Sequence, residues 1–397
     1  MADAVIVDVV RTASGKGKPG GALSGTHPVD LLATVIAALV ERTGIDPGLV
    51  DDVITGCVSQ VGEQSLNIGR SALLTAGLPE HVPATTIDRQ CGSSQQAVHF
   101  AAQGVLAGAY DVAIACGVES MSRVPMFSSI AGADPNRASL ARRYPEGLVN
   151  QGISAEILSA RWGLSREALD EYSARSHQLA ATTAANGGFA NEIVPVTVTG
   201  PDGAAGTHAV DETVRASTTA EGLAGLKASF QNEEYSTRFP EIEWKITPGN
   251  SSPLTDGASA TLIMSAELAN RLGLRPRARF HSFAVTGSSP LLMLDGVVPA
   301  TEQALKRGGL SIGDIDAYEV NEAFAPVPLL WAEAVGADLA KLNPRGGAIA
   351  LGHPLGASGT RLLATLLNQL EATGGRYGLQ TMCEGGGMAN ATIIERL

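Results

Sequence analysis

The sequence predicts an α/β fold built from two similar halves, with an irregular stretch inserted in the first. Three observations predict it. Apolar runs without polar alternation take turns with segments of helical periodicity, the signature of strands covered on both faces. The last third of the chain repeats the rhythm of the first. Between them, from Glu119 to about Gly249, that rhythm breaks down.

In order, Ala4 to Val10 is a strand, followed by a glycine-rich loop holding Lys16 and Lys18. Leu31 to Leu39 has helical spacing, Asp52 to Val58 is a strand, and Ile68 to Ala76 is a helix stopped by Gly77. Ala84 to Ile87 reads as a short buried strand, and a helix beginning just after Cys91 carries Ala97, Val98, Ala101, Ala102, Val105 and Leu106 on one face. Asp111 to Cys116 is a strand ending at Gly117.

The middle stretch is loop-like from Met121 to Tyr144. It then holds two helices, Ser154 to Trp162 and Ser165 to Asn186, with Ser165 as N-cap. Ile193 to Thr199 is a strand, Gly200 to Thr207 a turn, and Gly222 to Lys245 irregular. Long excursions of this kind shape binding sites or subunit contacts. Thr261 to Met264 returns to strand.

The last third offers strands at Ala278–Val285, Ile315–Val320 and Leu379–Met382, and helices at Ala300–Arg307, Pro326–Val335 and Thr360–Leu370. Each half thus has a polar, glycine-rich turn opening a helix, around Cys91 in one and around His353 in the other. Ligand sites in open α/β sheets lie at the carboxyl ends of strands, where both turns fall.

A net charge of −12 without a Lys/Arg run excludes nucleic acid as a natural partner. No run of about 20 apolar residues is available to span a membrane. The N-terminus enters a strand at once, which leaves no room for a signal peptide and sets the expectation of a cytoplasmic enzyme. The four cysteines form no C-x-x-C pair, so free thiols and no structural zinc are expected. Cys57 and Cys116 sit in apolar runs that packing explains, whereas Cys91 and Cys383 sit beside glycines.

Cys91 falls where a strand turns into a helix, where unpaired N–H groups and the helix dipole favour a thiolate and lower its pKa. His353 is held between Gly352 and Pro354, Asn321 and Glu322 follow a buried strand, and Cys383 precedes three glycines whose N–H groups can approach a ligand. Two thiols, an imidazole and an amide at loop tips point to acyl transfer.

These segments resemble the thiolase family along essentially the whole chain. Cys91-Gly92-Ser93, Asn321-Glu322-Ala323-Phe324, Gly352-His353-Pro354 and Cys383-Glu384-Gly385 match its signatures in order, supported by Arg11-Thr12 and Asp256-Gly257-Ala258. The resemblance implies a five-layered α-β-α-β-α fold, with residues 1–119 plus 250–270 as the N-terminal half, 120–249 as an inserted loop domain and 271–397 as the C-terminal half. It implies a 3-ketoacyl-CoA thiolase: Cys91 carries the acyl group, His353 takes its proton, and Cys383 is the second acid/base, a thiol at a glycine turn with a pKa near ambient. Asn321, through a water, and His353 would hold the enolate oxygen, and the N–H groups of Cys91 and Gly385 the tetrahedral intermediate.

It also implies coenzyme A as substrate rather than a bound cofactor, with Arg215 near its phosphates and Ser252 on its pantetheine. It implies no metal, and a homodimer or homotetramer. Two positions depart from the short-chain biosynthetic pattern. Asn150-Gln151 stands where those members carry His-Met, and Glu384 stands where an apolar residue is common. Both favour a degradative enzyme for bulky chains over an acetoacetyl-CoA synthase. The reading from a different class is a catalytically silent acyl-CoA or lipid-binding protein, against which the intact Cys91, His353 and Cys383 speak.

Overall fold

The computed structural model describes residues 3–135, 139–199 and 203–397. The first half opens with β1 (Ala4–Thr12), the two-residue strand β2 (Gly15–Lys16) and helix α1 (Pro28–Thr43). The ring of His27 caps α1 by accepting from Val29 N, Pro28 takes its first position, and Gly44 closes it in the left-handed conformation. Then come β3 (Asp52–Gly56), α2 (Ile68–Thr75), β4 (Ala84–Ile87), α3 (Ser93–Leu106) and β5 (Val112–Ser120). The middle stretch supplies α4 (Ser139–Arg143), α5 (Gln151–Arg161), α6 (Arg166–Ala185), β6 (Ile193–Val194), β7 (Val196–Thr199), β8 (Ala205–His208), α7 (Ala220–Ala224) and α8 (Glu233–Arg238).

β9 (Thr255–Ser265) returns the chain to the first half, and α9 (Ala266–Arg271) leads out of it. The second half is β10 (Ala278–Gly287), α10 (Val297–Gly308), β11 (Ala317–Val320), α11 (Pro326–Val335), α12 (Ala348–Leu351), α13 (Ser358–Thr373), β12 (Tyr377–Glu384) and β13 (Met388–Arg396).

Several elements differ from the sequence expectation. β5 runs through Gly117 to Ser120, and β9 begins at Thr255 rather than Thr261, because the two pair antiparallel from Val112↔Met264 to Ser120↔Asp256. Pro195, which has no N–H to give a ladder, splits the 193–199 strand into β6 and β7. Of the expected turn at 200–207, residues 200–202 lie outside the described residues, and Ala205–Thr207 belong to β8. Two short helices occupy the stretch expected to be irregular. β4 is not buried. It is the last strand of the sheet and half-exposed along its length.

Strand order runs β4-β3-β5-β9-β1 in the first half and β11-β12-β13-β10 in the second, joined where Val5 and Ile6 of β1 pair with Arg279 and Ala278. Both paths go from a parallel pair to an antiparallel neighbour and end on the first strand of their half. Duplication therefore shows in the topology as well as in the motifs.

Helices stack on these sheets in layers. Leu31, Leu32, Ile36 and Leu39 of α1 join Ile68 and Leu73 of α2 over one outer face. Val297, Ala300 and Ala304 of α10 and Leu330 and Trp331 of α11 cover the other. Between the two halves of the sheet lie α3 and α13, with Ala97, Val98, Ala101 and Val105 meeting Leu363, Leu366, Leu367 and Leu370.

The middle layer brings the two polar turns together. A Cβ on Gly359, at the start of α13, would collide with the backbone N of Gln95 at the start of α3. Thr360 N donates to Ser94 Oγ at 3.1 Å across the same contact. Nearby, a Cβ on Gly117 would collide with Gly356 O. The buried Glu119 carboxylate accepts from Gly356 N (2.9 Å), Val58 N (3.0 Å) and Ser59 N (3.1 Å), tying the second half's turn to the first half's loops. Only hydrogen at 359 lets the two helix starts touch.

Gly359→Ala should therefore push these helix starts apart. Overpacking of this kind costs about 1–3 kcal/mol. A lower urea midpoint with unchanged far-UV circular dichroism is the expected outcome.

Candidate active site

The turn before α3 is tightly wound. Gln90 adopts φ +47°, and Ser93 Oγ accepts from Arg89 N (2.9 Å) while donating to Gln90 O (2.6 Å). This sets Cys91 one residue before Gly92, the N-cap of α3. Cys91 is buried, packed with Met121, Leu355, Leu362 and Met382. The side chain of Gln151 and the backbone N–H groups of Cys91 and Gly385 favour its thiolate form.

Those donors do not give the low thiol pKa expected at a helix start. Burial, reinforced by the Glu384 carboxyl, pushes the Cys91 thiol up to about 12, because the helix start is capped off from water. Cys383 departs from the expected ambient pKa in the same direction. It lies within β12 rather than in a turn, has no exposed surface, and is pushed well above the usual thiol range by burial, then by Cys91 and Glu384.

His353 is fixed at both ring nitrogens. Ser358 Oγ spends its one hydrogen on Pro354 O (2.9 Å), so at 2.6 Å it must accept from His353 Nδ1–H. The lone pair is thereby left on Nε2, which faces Asn321 Nδ2 at 3.3 Å. Burial, then the charge of Arg361, lowers the imidazole to about 3, so the ring is neutral at physiological pH. Thiol and imidazole both rest uncharged.

Asn321 N donates to Thr381 O (3.0 Å), two residues before Cys383, which sets its side chain at the end of β11 beside β12. Its Oδ1 is buried with no protein partner among the described residues, so it is open to a water or a substrate. Glu322 is structural. Its carboxylate accepts from Tyr172 (2.8 Å), Ser176 (2.7 Å), Asn343 Nδ2 (2.8 Å) and Ile349 N (3.0 Å), which clamps α6 to the second half. Arg11 is structural too, held by Glu192 (2.7 Å) and Asp211 (2.7 Å) in a buried ion-pair group.

The structure thus gathers Cys91, Cys383 and Gly385 at one point. The His353–Asn321 pair joins them through Leu355 and Thr381. Ser252 N donates to Ala323 O (3.0 Å), so it borders the same loop. Arg215 lies farther out, in a surface cleft of about 400 Å³ shared with Lys16, Lys18, Thr213, Pro253 and Leu254. Sequence reasoning had noted the two lysines without a role, and it missed Ser358 and Arg361. The hydroxyl five residues after His353, inside the same glycine-rich turn, was the available signal for the first. Among the described residues no group of three or more His, Cys, Asp or Glu could hold a metal ion, and no helix is long and apolar enough to cross a membrane.

Residues 4–267 match the family model for the N-terminal domain of thiolase, and residues 274–396 that for its C-terminal domain. The chain belongs to the thiolase family. Thiolases are acyltransferases. Among curated proteins this thiolase is 47% identical to a steroid 3-ketoacyl-CoA thiolase of Mycobacterium tuberculosis, covering 100% of this chain and 95% of the relative. It is 44% identical to a 3-ketoacyl-CoA thiolase of Aliivibrio salmonicida, with 100% of both covered. Among solved structures, the Bacillus anthracis acetyl-CoA acetyltransferase superposes with a TM-score of 0.89 at 35% identity, covering 100% of this chain and 99% of the other.

Glu384 sits against the Cα of Gly92, where any Cβ would strike its Oε1. Neither carboxyl oxygen has a protein partner among the described residues. Burial raises its pKa to about 9, against the pull of Arg89 and with a further push from Asp88. The side chain is therefore neutral at pH 7 and ionises as pH rises through about 9, placing a negative charge beside both thiols. Glu384→Gln should remove the resulting loss of kcat/KM above about pH 9 while leaving the neutral region within about threefold, checked by a pH–rate profile of both proteins.

Proposed function

We propose that this thiolase cleaves 3-oxoacyl-CoA with coenzyme A, giving acetyl-CoA and a shortened acyl-CoA by a ping-pong route through acyl-Cys91. The observation that carries this reading is Cys91 packed in one buried cluster with Met382, next in sequence to the buried Cys383, with the Gly385 backbone set against Gln90. Two relatives that span the whole chain are named 3-ketoacyl-CoA thiolases.

In this mechanism Cys91 attacks the 3-oxo carbon as His353 Nε2 takes its proton. The oxygen of the tetrahedral intermediate accepts from the Cys91 and Gly385 N–H groups. The C2–C3 bond then breaks, and its electron pair becomes the enolate of acetyl-CoA. His353 and Asn321, through a water on its side-chain amide, stabilise the enolate oxygen, and Cys383 protonates the enolate carbon. Cys383 next takes the proton of incoming coenzyme A, whose sulfur captures the acyl group, and the departing Cys91 sulfur takes back the proton held on His353 Nε2. The high thiol pKa of Cys383 suits its role: it arrives at the enolate still protonated.

Coenzyme A enters as substrate. Lys16, Lys18 and Arg215, around one cleft, supply positive charge for its phosphates, and Ser252 borders the path from that cleft to Ala323. Residues 120–249 form the loop domain over the site in this reading. The half-exposed edge of β4, with exposed Leu66 and Phe127, suits assembly as a homodimer or homotetramer. Four free cysteines suit a reducing cytoplasm.

The condensing, acetoacetyl-CoA-forming direction is the rival enzyme reading, because the superposed structure is named an acetyl-CoA acetyltransferase. Brief incubation with acetoacetyl-CoA or with a longer 3-oxoacyl-CoA, followed by intact mass, tests both. A mass gain equal to the acyl group, absent in Cys91→Ala and faster with the longer substrate, is expected. Faster labelling by acetoacetyl-CoA would favour the rival, and no label from either substrate would overturn acyl transfer.

A further inference from the structure

Two buried acceptor oxygens meet beside the turn that carries Cys91, and neither has a donor. A Cβ on Gly92 would strike Glu384 Oε1 and would stand 2.9 Å from Asn390 Oδ1. Both side chains are fully buried. Both oxygens of Glu384, and Oδ1 of Asn390, lack a protein partner among the described residues. Strand pairing brings the two residues together. Across the β12–β13 hairpin Glu384 pairs with Met388 and Met382 with Asn390, so Glu384 and Asn390 are diagonal neighbours on one face. The other end of the Asn390 amide is committed, with Nδ2 donating to Gln96 Oε1 on α3 at 3.2 Å. A carboxylate oxygen and an amide oxygen both only accept. Held against one Cα and away from water, they would repel. A single proton on the carboxyl turns that repulsion into a hydrogen bond.

We propose that Glu384 is a positioning residue whose carboxyl O–H donates to Asn390 Oδ1. The bond completes a chain from β12 through β13 to α3, Glu384 to Asn390 and Asn390 to Gln96. Cys383 and Gly385 flank Glu384 in sequence, so the chain ties their strand end to the helix start beside Cys91. The groups facing this carboxyl leave its proton in place. Arg89 Nη1 donates to Met388 Sδ (3.9 Å), and no guanidinium nitrogen bonds to Glu384. Burial disfavours the charged carboxylate more than Arg89 favours it, and Asp88 opposes ionisation as well. Cys91 and Cys383 are uncharged thiols. His99 of α3, with Nε2 2.7 Å from Thr392 Oγ1, is neutral because burial, then Arg89, lowers it to about 3.

The effect on turnover rests on the acyl-transfer reading, but the bond itself does not. The test is therefore spectroscopic and uses the substrate-free enzyme. Infrared difference spectra in D2O at neutral pH compare wild type with Glu384→Gln. The expected result is the carbonyl band of a protonated carboxylic acid, at the lowered frequency of one that donates a hydrogen bond. That band should move up in Asn390→Leu, which removes the acceptor. In turnover, kcat for thiolysis should fall about tenfold in Glu384→Leu and stay within about threefold in Glu384→Gln, whose amide still donates.

Carboxylate bands alone would mean an ionised Glu384 facing a reversed Asn390 amide, and would overturn the proposal. An acid band that Asn390→Leu leaves unmoved would overturn it too, and wild-type kcat in Glu384→Leu would overturn the positioning role. If Asn390→Leu fails to fold, the wild-type frequency decides, and the value of an unbonded acid overturns the bond. Should no substrate acylate the wild type, the thiolase reading fails, while the spectra still decide the bond.

Discussion

Everything in this site depends on two helix starts touching. α3 and α13 belong to different halves, and each begins at a polar turn. Because residue 359 carries no side chain, the start of α13 rests on the backbone of Gln95, and Glu119 then stitches the His353 turn to the loops of the first half. A duplicated fold would otherwise hold two half-sites on separate halves of the sheet. Here the contact turns them into one buried chamber, with Cys91 from one half and His353, Asn321 and Cys383 from the other.

Burial has a cost for the chemistry, and the site answers it with aimed donors. Taking Cys91, Cys383 and His353 out of water drives the thiols up and the imidazole down, so none of the three carries charge at rest. A resting thiolate–imidazolium pair is thus the wrong picture for the empty enzyme. The site holds instead a neutral base of fixed tautomer, set by Ser358, and N–H groups that become strong partners only when charge appears on sulfur or oxygen. In a low-dielectric chamber such preset donors act without waiting for solvent to reorganise. The neutral Glu384 belongs to the same logic, since an ionised carboxylate beside Gly92 would oppose every step that charges a thiol.

Much of this was legible in the sequence. The strand and helix rhythm, the repeated halves and the four motif turns gave the α/β class and gathered Cys91, Asn321, His353, Cys383 and Gly385 as one set. Pro326–Val335 and Ala84–Ile87 were found with their observed bounds. What the sequence concealed is long-range. The extents of β5 and β9 follow from their mutual pairing, and β4 reads as buried although its outer neighbour is missing. The lowered thiol pKa was inferred from a local rule about helix starts, and it failed because burial is set by Met121, Leu355, Leu362 and Met382, far away in the chain. Gln151 was visible only as a departure from a pattern. No spacing rule could tell that its side chain eases the ionisation of a thiol 60 residues earlier in the chain.

The central claim is that residues of the second half control the reactivity of a cysteine in the first. It is tested most directly by single-turnover acylation of Cys91 from a 3-oxoacyl-CoA in His353→Ala and Cys383→Ala proteins, read by quenched-flow mass spectrometry. The account predicts that acyl-Cys91 forms at least about a hundredfold more slowly in both, within the range typical of lost acid–base catalysis, although Cys91 itself is intact. Acylation at the wild-type rate in both variants would contradict it.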